Sequence, residues 1–186
     1  MLAALKARFN GADDFCLREL TAGGQVLYAL FLDGMTSGSD ISDFVVRPLM
    51  ENLRPGTPEE LYAQAQRGAV WCAVCEEADS AEAAADKLTH GYCVVVFPGL
   101  AKALCFEAKS GTRRGPSAPE SENTVKGAKD AFTETIRINT ALVRRHLRTP
   151  ELRLVNKTVG QRTQTNVTVC SIAGLTDPKL VARMEK

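Results

Sequence analysis

Long apolar runs are missing from this 186-residue chain. The longest, such as Tyr92 to Phe97, last only a handful of residues, whereas a membrane-crossing helix needs roughly 20. Nothing in the chain is therefore expected to span a bilayer. A leader peptide is missing too: Met1 to Asn10 sets Leu2, Leu5 and Phe9 at helical spacing with Lys6 and Arg8 between them, without an apolar h-region or a small-residue cleavage site. The segment is expected to start in the cytosol. Charge of one sign is also lacking, since 23 Lys and Arg against 22 Asp and Glu leave a net +1. That balance gives no global pull toward nucleic-acid phosphate, so no nucleic-acid partner is expected. Histidine is scarce: His90 and His146 stand far apart, and Cys72 and Cys75 have no second close pair, whereas a zinc site needs about four ligands. The glycines from Gly111 to Gly115 lack the lysine and the strand-loop-helix setting of a phosphate loop. With no nucleophile beside a base, the expectation is a non-enzyme without cofactor or metal.

What is present is an ordinary globular composition, 45% apolar and 24% charged, which implies a folded core. The cysteines at 16, 72, 75, 93, 105 and 170 sit almost entirely inside apolar runs, the pattern of reduced, buried thiols rather than a disulfide framework. Trp71-Cys72-Ala73-Val74-Cys75 carries a competing reading, a thioredoxin-like thiol redox site. That chemistry wants the first cysteine at a helix N-terminus. Here the pair lies in a predicted strand, where residues three apart point to opposite faces.

The pattern alternates from Phe15, breaks at Thr21-Ala22-Gly23-Gly24 and resumes over Val26 to Leu32, which predicts a β-hairpin. Ser39 or Asp40 is expected to cap a following helix that presents Ile41, Phe44, Val45 and Leu49 and is shortened or kinked by Pro48. Thr57-Pro58-Glu59-Glu60 reads as a capping box opening a helix with Leu61 and Ala65 inward. Ala69 to Cys75 is predicted as a strand, Ser80 to Thr89 as a helix, and Tyr92 to Phe97 and Ala103 to Glu107 as strands. Apolar residues nearly vanish between Lys109 and Lys129, which marks a polar Gly/Pro linker. A helix from about Asp130 to Arg148 is expected to turn Phe132, Ile136, Val143 and Leu147 inward, with Arg137, Arg144 and Arg148 opposite, and to stop at Thr149-Pro150.

Beyond Pro150 the order repeats: a hairpin around Gly160 to Thr163, then Gly174-Leu175-Thr176, a capping Asp177, Pro178 at the first helical position, and an inner face of Leu180, Val181 and Met184. The set matches Gly34-Met35-Thr36 and its helix, and it stops at Lys186 in mid-helix. The predicted fold class is α/β, two small α/β subdomains joined by the linker, the second truncated. The expected boundaries are an N-terminal segment 1–12, a first subdomain 13–109, a linker 110–129 and a second subdomain 130–186 led by the helix 130–148.

Arg113-Arg114-Gly115-Pro116, Pro119-Glu120-Ser121-Glu122, Val125-Lys126-Gly127-Ala128-Lys129-Asp130-Ala131-Phe132-Thr133-Glu134 and Asn139-Thr140-Ala141-Leu142-Val143-Arg144-Arg145-His146-Leu147 together resemble the signature of the GerA family of spore germination proteins. That family carries G-P-x-x-P-x-x-E, R-G-P-R/K-D-x-F-x-E and N-T-x-L-I/V-R-R-R-I. The chain departs from it at Lys126, Ala128 and His146, while Gly115, Pro116, Pro119, Gly127, Asp130, Phe132, Glu134, Asn139, Leu142, Arg144 and Arg145 keep the pattern, and Glu120 is counted with them as a candidate residue. Val159 to Thr163 and Ser171 to Gly174 also resemble family segments.

The resemblance implies a cytosolic, two-part region ahead of membrane-spanning helices, in a receptor subunit of the spore inner membrane. There it would relay a nutrient signal with other germinant-receptor subunits and by self-association. A small-ligand sensor with its site between the subdomains is the alternative. Asn139 falls within the apolar arc, about 20° from Phe132 at 100° per residue. It is read as bonded to linker backbone, either locally or as a latch between the subdomains. Arg144, Arg145 and Arg148 are read either as solvated cations at the helix C-terminus or as an anchoring surface for the Glu120 to Glu122 segment, a neighbouring subunit or anionic lipid.

Overall fold

The computed structural model describes residues 1–110 and 131–184. It is an α/β fold with two sheets, one of five strands in the order β1-β2-β4-β5-β3 and one of two, β6-β7. The first contains β1 (Phe15–Ala22), β2 (Gln25–Leu32), β3 (Cys75–Ala78), β4 (Tyr92–Val96) and β5 (Ala103–Glu107). Every pairing in it is antiparallel.

Helices cover both faces. Helix α1 (Leu2–Arg8) and α4 (Ala81–Thr89) bring Leu5, Ala84, Ala85 and Leu88 onto Leu30, Leu32, Val94 and Cys105. On the other face, α2 (38–52) and α3 (Pro58–Gln64) bring Ile41, Val45, Leu49, Leu61 and Tyr62 onto Leu27, Ala29, Val95 and Phe106. Strand β4 is buried along its whole length, which is why its sequence is continuously apolar instead of alternating. Each fully buried aliphatic side chain here contributes about 1.5 to 3 kcal/mol.

Local sequence rules fix most of these elements. Thr57 and Glu60 close a reciprocal capping box, with Pro58 in the first turn. Ser80 caps α4 by accepting from Ala83 N at 3.1 Å. Helix α2 starts earlier than its sequence suggests, because Ser37 rather than Ser39 or Asp40 accepts the capping bond, from Asp40 N at 3.3 Å. Its turns widen over Ile41–Val46, just ahead of Pro48.

The segment predicted as a strand at Ala69 to Cys75 is corrected. Helix α3 runs on into a wide turn over Ala65–Ala69, Gly68 reverses the chain at φ +109°, and the strand begins only at Cys75. Asn52 donates to Ala69 O at 2.8 Å and Cys72 to Glu107 O at 3.2 Å, so these residues plug the sheet margin without joining the ladder.

Helix α5 is Ile136–His146, shorter than the predicted 130–148. Its inward face also differs from the expected one: Phe132 is 68% exposed and Leu147 is exposed, while Ala141, Leu142 and Arg144 are buried. Strands β6 (Leu152–Val159) and β7 (Thr165–Ile172) form the second hairpin, followed by α6 (Pro178–Met184). Leu180 and Met184, predicted as an inner face, are exposed because no sheet lies beneath them among the described residues. No described helix is long and apolar enough to cross a membrane.

The same turn is built twice. Leu32 O accepts from Met35 N and Thr36 N, both at 3.2 Å, and Ile172 O accepts from Leu175 N at 3.2 Å and Thr176 N at 2.9 Å. Gly34 and Gly174 sit at φ +79° and +80°, a left-handed conformation that glycine adopts without steric cost.

Candidate functional site

The two sheets meet where α5 crosses the mouth of the β1–β2 hairpin. Phe15 pairs with Leu32 at the end of that ladder. The residues just outside it, Asp14 and Asp33, therefore face each other, and Asp14 O accepts from Asp33 N at 2.8 Å. Arg144 of α5 grips Asp14 in a fork, Nε to Oδ2 at 2.9 Å and Nη2 to Oδ1 at 2.7 Å. The same guanidinium donates to Thr149 O at 3.0 Å and Leu152 O at 3.2 Å. Arg144 is fully buried and Asp14 nearly so. Burial pushes the Asp14 carboxyl above the usual carboxylate range, even with the Arg144 guanidinium pulling it down. Taking one partner of such a pair away leaves an uncompensated buried charge.

A second, exposed pair joins Arg137 to Asp33 two turns earlier along α5. Between the two arginines the backbones come close. A Cβ on Gly34 would stand 2.9 Å from the Ala141 Cβ, so both the positive φ and the contact demand glycine there. Behind the joint, Asp13 N donates to Leu154 O at 3.0 Å and Asp13 Oδ2 accepts from Asn156 N at 2.6 Å. Arg153 adds a bond to Arg8 O at 3.0 Å. The loop before β1 thus acts as a short extension of the second hairpin.

Asn139 lies in α5 with its amide doubly bonded to one upstream residue. Oδ1 accepts from Thr133 N and Nδ2 donates to Thr133 O, both at 2.7 Å. The side chain holds residue 133 in place of the helical ladder, and this is why α5 does not reach back to 130. Leu142 is buried, Arg145 half-buried with Nε 3.4 Å from Ala141 O, and Phe132 and Glu134 lie on the segment leading into α5. Gly115, Pro116, Pro119, Glu120, Gly127 and Asp130 lie outside the described residues.

The placement of Arg144 among solvated cations at the helix end is corrected, since its charge is enclosed by Asp14 and two carbonyls. The residues that sequence reasoning missed are Asp14, Asp33 and Gly34 as the receiving side. A pair of acids just outside the two ends of one predicted hairpin was the available signal.

Two clefts flank the joint. One of about 280 Å³ lies between Asp13, Asp33, Arg137, Asn156 and Lys157. The other, of about 420 Å³, is lined by Ser37, Ser39, Ser110, Arg137 and Arg145. Neither carries a nucleophile with a base, and the described residues hold no group of three or more His, Cys, Asp or Glu placed to bind a metal. The Trp71 to Cys75 stretch places Cys72 in the irregular segment ahead of β3 and not at a helix N-terminus. Burial, reinforced by Cys72 and the following glutamates, pushes the Cys75 thiol up to about 11, opposite to the lowering that activates a thiol. All six cysteines are free.

Known proteins share both the sequence and the shape. The chain matches the family described as Bacillus/Clostridium GerA spore germination protein over residues 3–186. The membrane protein YfkQ of Bacillus subtilis (strain 168) is 30% identical over 178 residues, which cover 95% of this chain and 34% of that protein. Stage V sporulation protein AF of the same organism is 30% identical over 173 residues, 93% of this chain and 35% of that protein. Spore germination protein GerLA of Bacillus cereus is 23% identical, over 100% of this chain and 38% of that protein.

The crystal structure of the N-terminal domain of the A subunit of the Bacillus megaterium spore germinant receptor GerK3 shares the fold. Its TM-score is 0.72 at 23% identity, covering 99% of this chain and 68% of that one. The chain spans about a third of the length of these curated relatives. A family match running from residue 3 to residue 186 places the chain within the GerA family of spore germination proteins.

Proposed function

We propose that this chain is the N-terminal signal-relay region of a GerA-type subunit of a spore germination receptor, working without catalysis in a complex of the spore inner membrane. Its partners are other receptor subunits and further copies of itself, and the region itself lies on the cytosolic side. Its parts are a segment 1–12, a first subdomain 13–109, a linker 110–129 and a second subdomain 130–186. The observation that carries this reading is the joint. Within a family match over the whole span, the signature residues Asn139, Leu142, Arg144 and Arg145 lie on the helix seated at the mouth of the first hairpin. A relay needs an element whose position both sides feel, and α5 packs on β7 while bonding to Asp14 and Asp33, which flank β1 and β2.

The test is germination of spores carrying Arg137→Glu or Asn139→Leu in the full-length protein, with subunit level followed by immunoblot. The reading predicts a weakened response to nutrient at normal protein level. A normal response from both variants at normal level would remove the joint from signalling.

A second reading is favoured by the cleft of about 420 Å³, whose lining includes Arg137 and Arg145 together with Ser37 and Ser39. Two guanidiniums and paired hydroxyls suit a small carboxylate, so the cleft would serve a sensor directly. Calorimetric titration with a dicarboxylate probe separates the readings, because binding abolished by Arg145→Ala is required by the second and not by the first.

A further inference from the structure

Cys72 and Cys75 come together in a way that a strand over Ala69 to Cys75 would forbid. In a strand the two side chains would point to opposite faces. The chain instead bends at Ala73 and enters β3 only at Cys75. Cys75 lies across from Phe106, which in turn lies across from Cys93, and cross-strand partners share a face. That face is the one covered by α2 and α3, and Cys72 packs on the same cluster of buried side chains. Both thiols therefore stand on one side of the sheet.

The hydrogen bonds bring them close. Val74 O accepts from Glu107 N at 3.2 Å, and the Cys72 thiol shares its proton between Glu107 O at 3.2 Å and Val74 O at 3.4 Å. The carbonyl carbon of Val74 is bonded to the Cys75 nitrogen, so the Cys72 sulfur lies over the peptide that leads into Cys75. Cys93 is a poorer match for Cys75: two strand spacings set them roughly 10 Å apart, beyond the ~7 Å between Cα atoms that a disulfide spans. Cys105 belongs to the cluster on the other face. Cys75 is exposed and Cys72 half-buried, so a reagent meets Cys75 first, with Cys72 behind it.

We propose that Cys72 and Cys75 form a thiol modification site, closing into a disulfide by exchange with a small-molecule disulfide. The Cys75 sulfur attacks the reagent, which forms a mixed disulfide and releases one small thiol. The Cys72 sulfur then attacks that of Cys75, which forms the internal bond and releases the second. Two electrons pass from the protein sulfurs to the reagent, and the two thiol protons leave on the released thiols. In a reducing compartment such a bond is transient. The raised Cys75 thiol makes the attack slow, unlike that of a catalytic dithiol. Closure takes the Cys72 thiol off Glu107 O and fixes the bend that joins α3 to β3. Trp71, the chain's one tryptophan, precedes Cys72 and donates from N to Phe44 O at 3.1 Å, so its indole reports on the same bend. The inference is independent of what the protein relays.

The experiment incubates the 186-residue chain with oxidised glutathione, traps the remaining thiols with an alkylating reagent and maps the peptides by mass spectrometry. The expected product is an internal Cys72–Cys75 link, reversed by dithiothreitol, with a change in Trp71 emission on the same time course. Cys72→Ser keeps a donor for Glu107 O and should stop at a glutathione adduct on Cys75, with the melting temperature of the parent. Unreacted Cys72 and Cys75, a lasting glutathione adduct on Cys75 of the parent, or a link from either cysteine to Cys93 or to a second chain would overturn the proposal. The peptide map of the parent decides the matter even where Cys72→Ser fails to fold.

Discussion

Arg144 and Asp14 are separated by 130 positions and enclosed together, so each is the other's bonded counter-charge. Arg144→Ala should therefore cost about 3 to 5 kcal/mol, the loss typical of breaking a buried pair, read as a lowered midpoint in urea. The double variant Asp14→Leu with Arg144→Met should recover much of that loss, because an apolar pair leaves no stranded charge. A single variant as stable as the parent would show that the pair contributes nothing. The sequence marked Arg144 through its family pattern, yet nothing in one sequence joins it to Asp14. Helical periodicity counts apolar faces, and here the inward face is centred on a cation.

At the scale of elements, the edge strand β3 is held from both sides by matched sets of groups. Glu76 accepts from Tyr92 and pairs with Lys87, and Glu77 accepts from Tyr62 and pairs with Lys102. Each tyrosine ring also lies under its lysine, Lys87 4.9 Å from the Tyr92 centroid and Lys102 4.2 Å from that of Tyr62. The Lys87 and Tyr92 bonds lower the pKa of Glu76, and those of Tyr62 and Lys102 lower that of Glu77, both from 4.5. A carboxylate held below its unfolded value stabilises the fold above pH 4.5 and loses that contribution as the pH falls through the lowered value. Glu76→Gln with Glu77→Gln should thus be less stable than the parent at pH 7, with the gap closing below pH 4.5. A constant gap across that range in urea titrations would contradict the assignment.

Elements governed by neighbours in sequence were legible: both hairpins, the Thr57 box, the helix predicted over Ser80 to Thr89 and the strand Ala103–Glu107. The Ala69 to Cys75 stretch misled because its apolar residues fill a margin after Gly68 turns the chain. Asn139 likewise ended a helix that composition alone would have extended.

At the scale of the molecule, β2 is paired on both sides, by β1 and β4, whereas among the described residues its counterpart β7 is paired by β6 alone. Leu175, which matches the buried Met35, is 77% exposed. If the second subdomain is completed by further chain, the outward amides of β7 should exchange rapidly in the 186-residue chain. They should become protected in a version extended to the length of the GerK3 domain. Equal exchange in both would leave the second hairpin as a free arm.

The order of synthesis gives the joint a history. All five strands of the first sheet lie before residue 108, while Arg144 lies well downstream of them. At about 5 to 20 residues per second, the first sheet can close some seconds before its partner arginine emerges from the ribosome. During that interval Asp14 is an ordinary hydrated carboxylate on a nascent chain. Arrival of α5 dehydrates it, so the nascent protein passes from a one-sheet body to a jointed one at a definite codon.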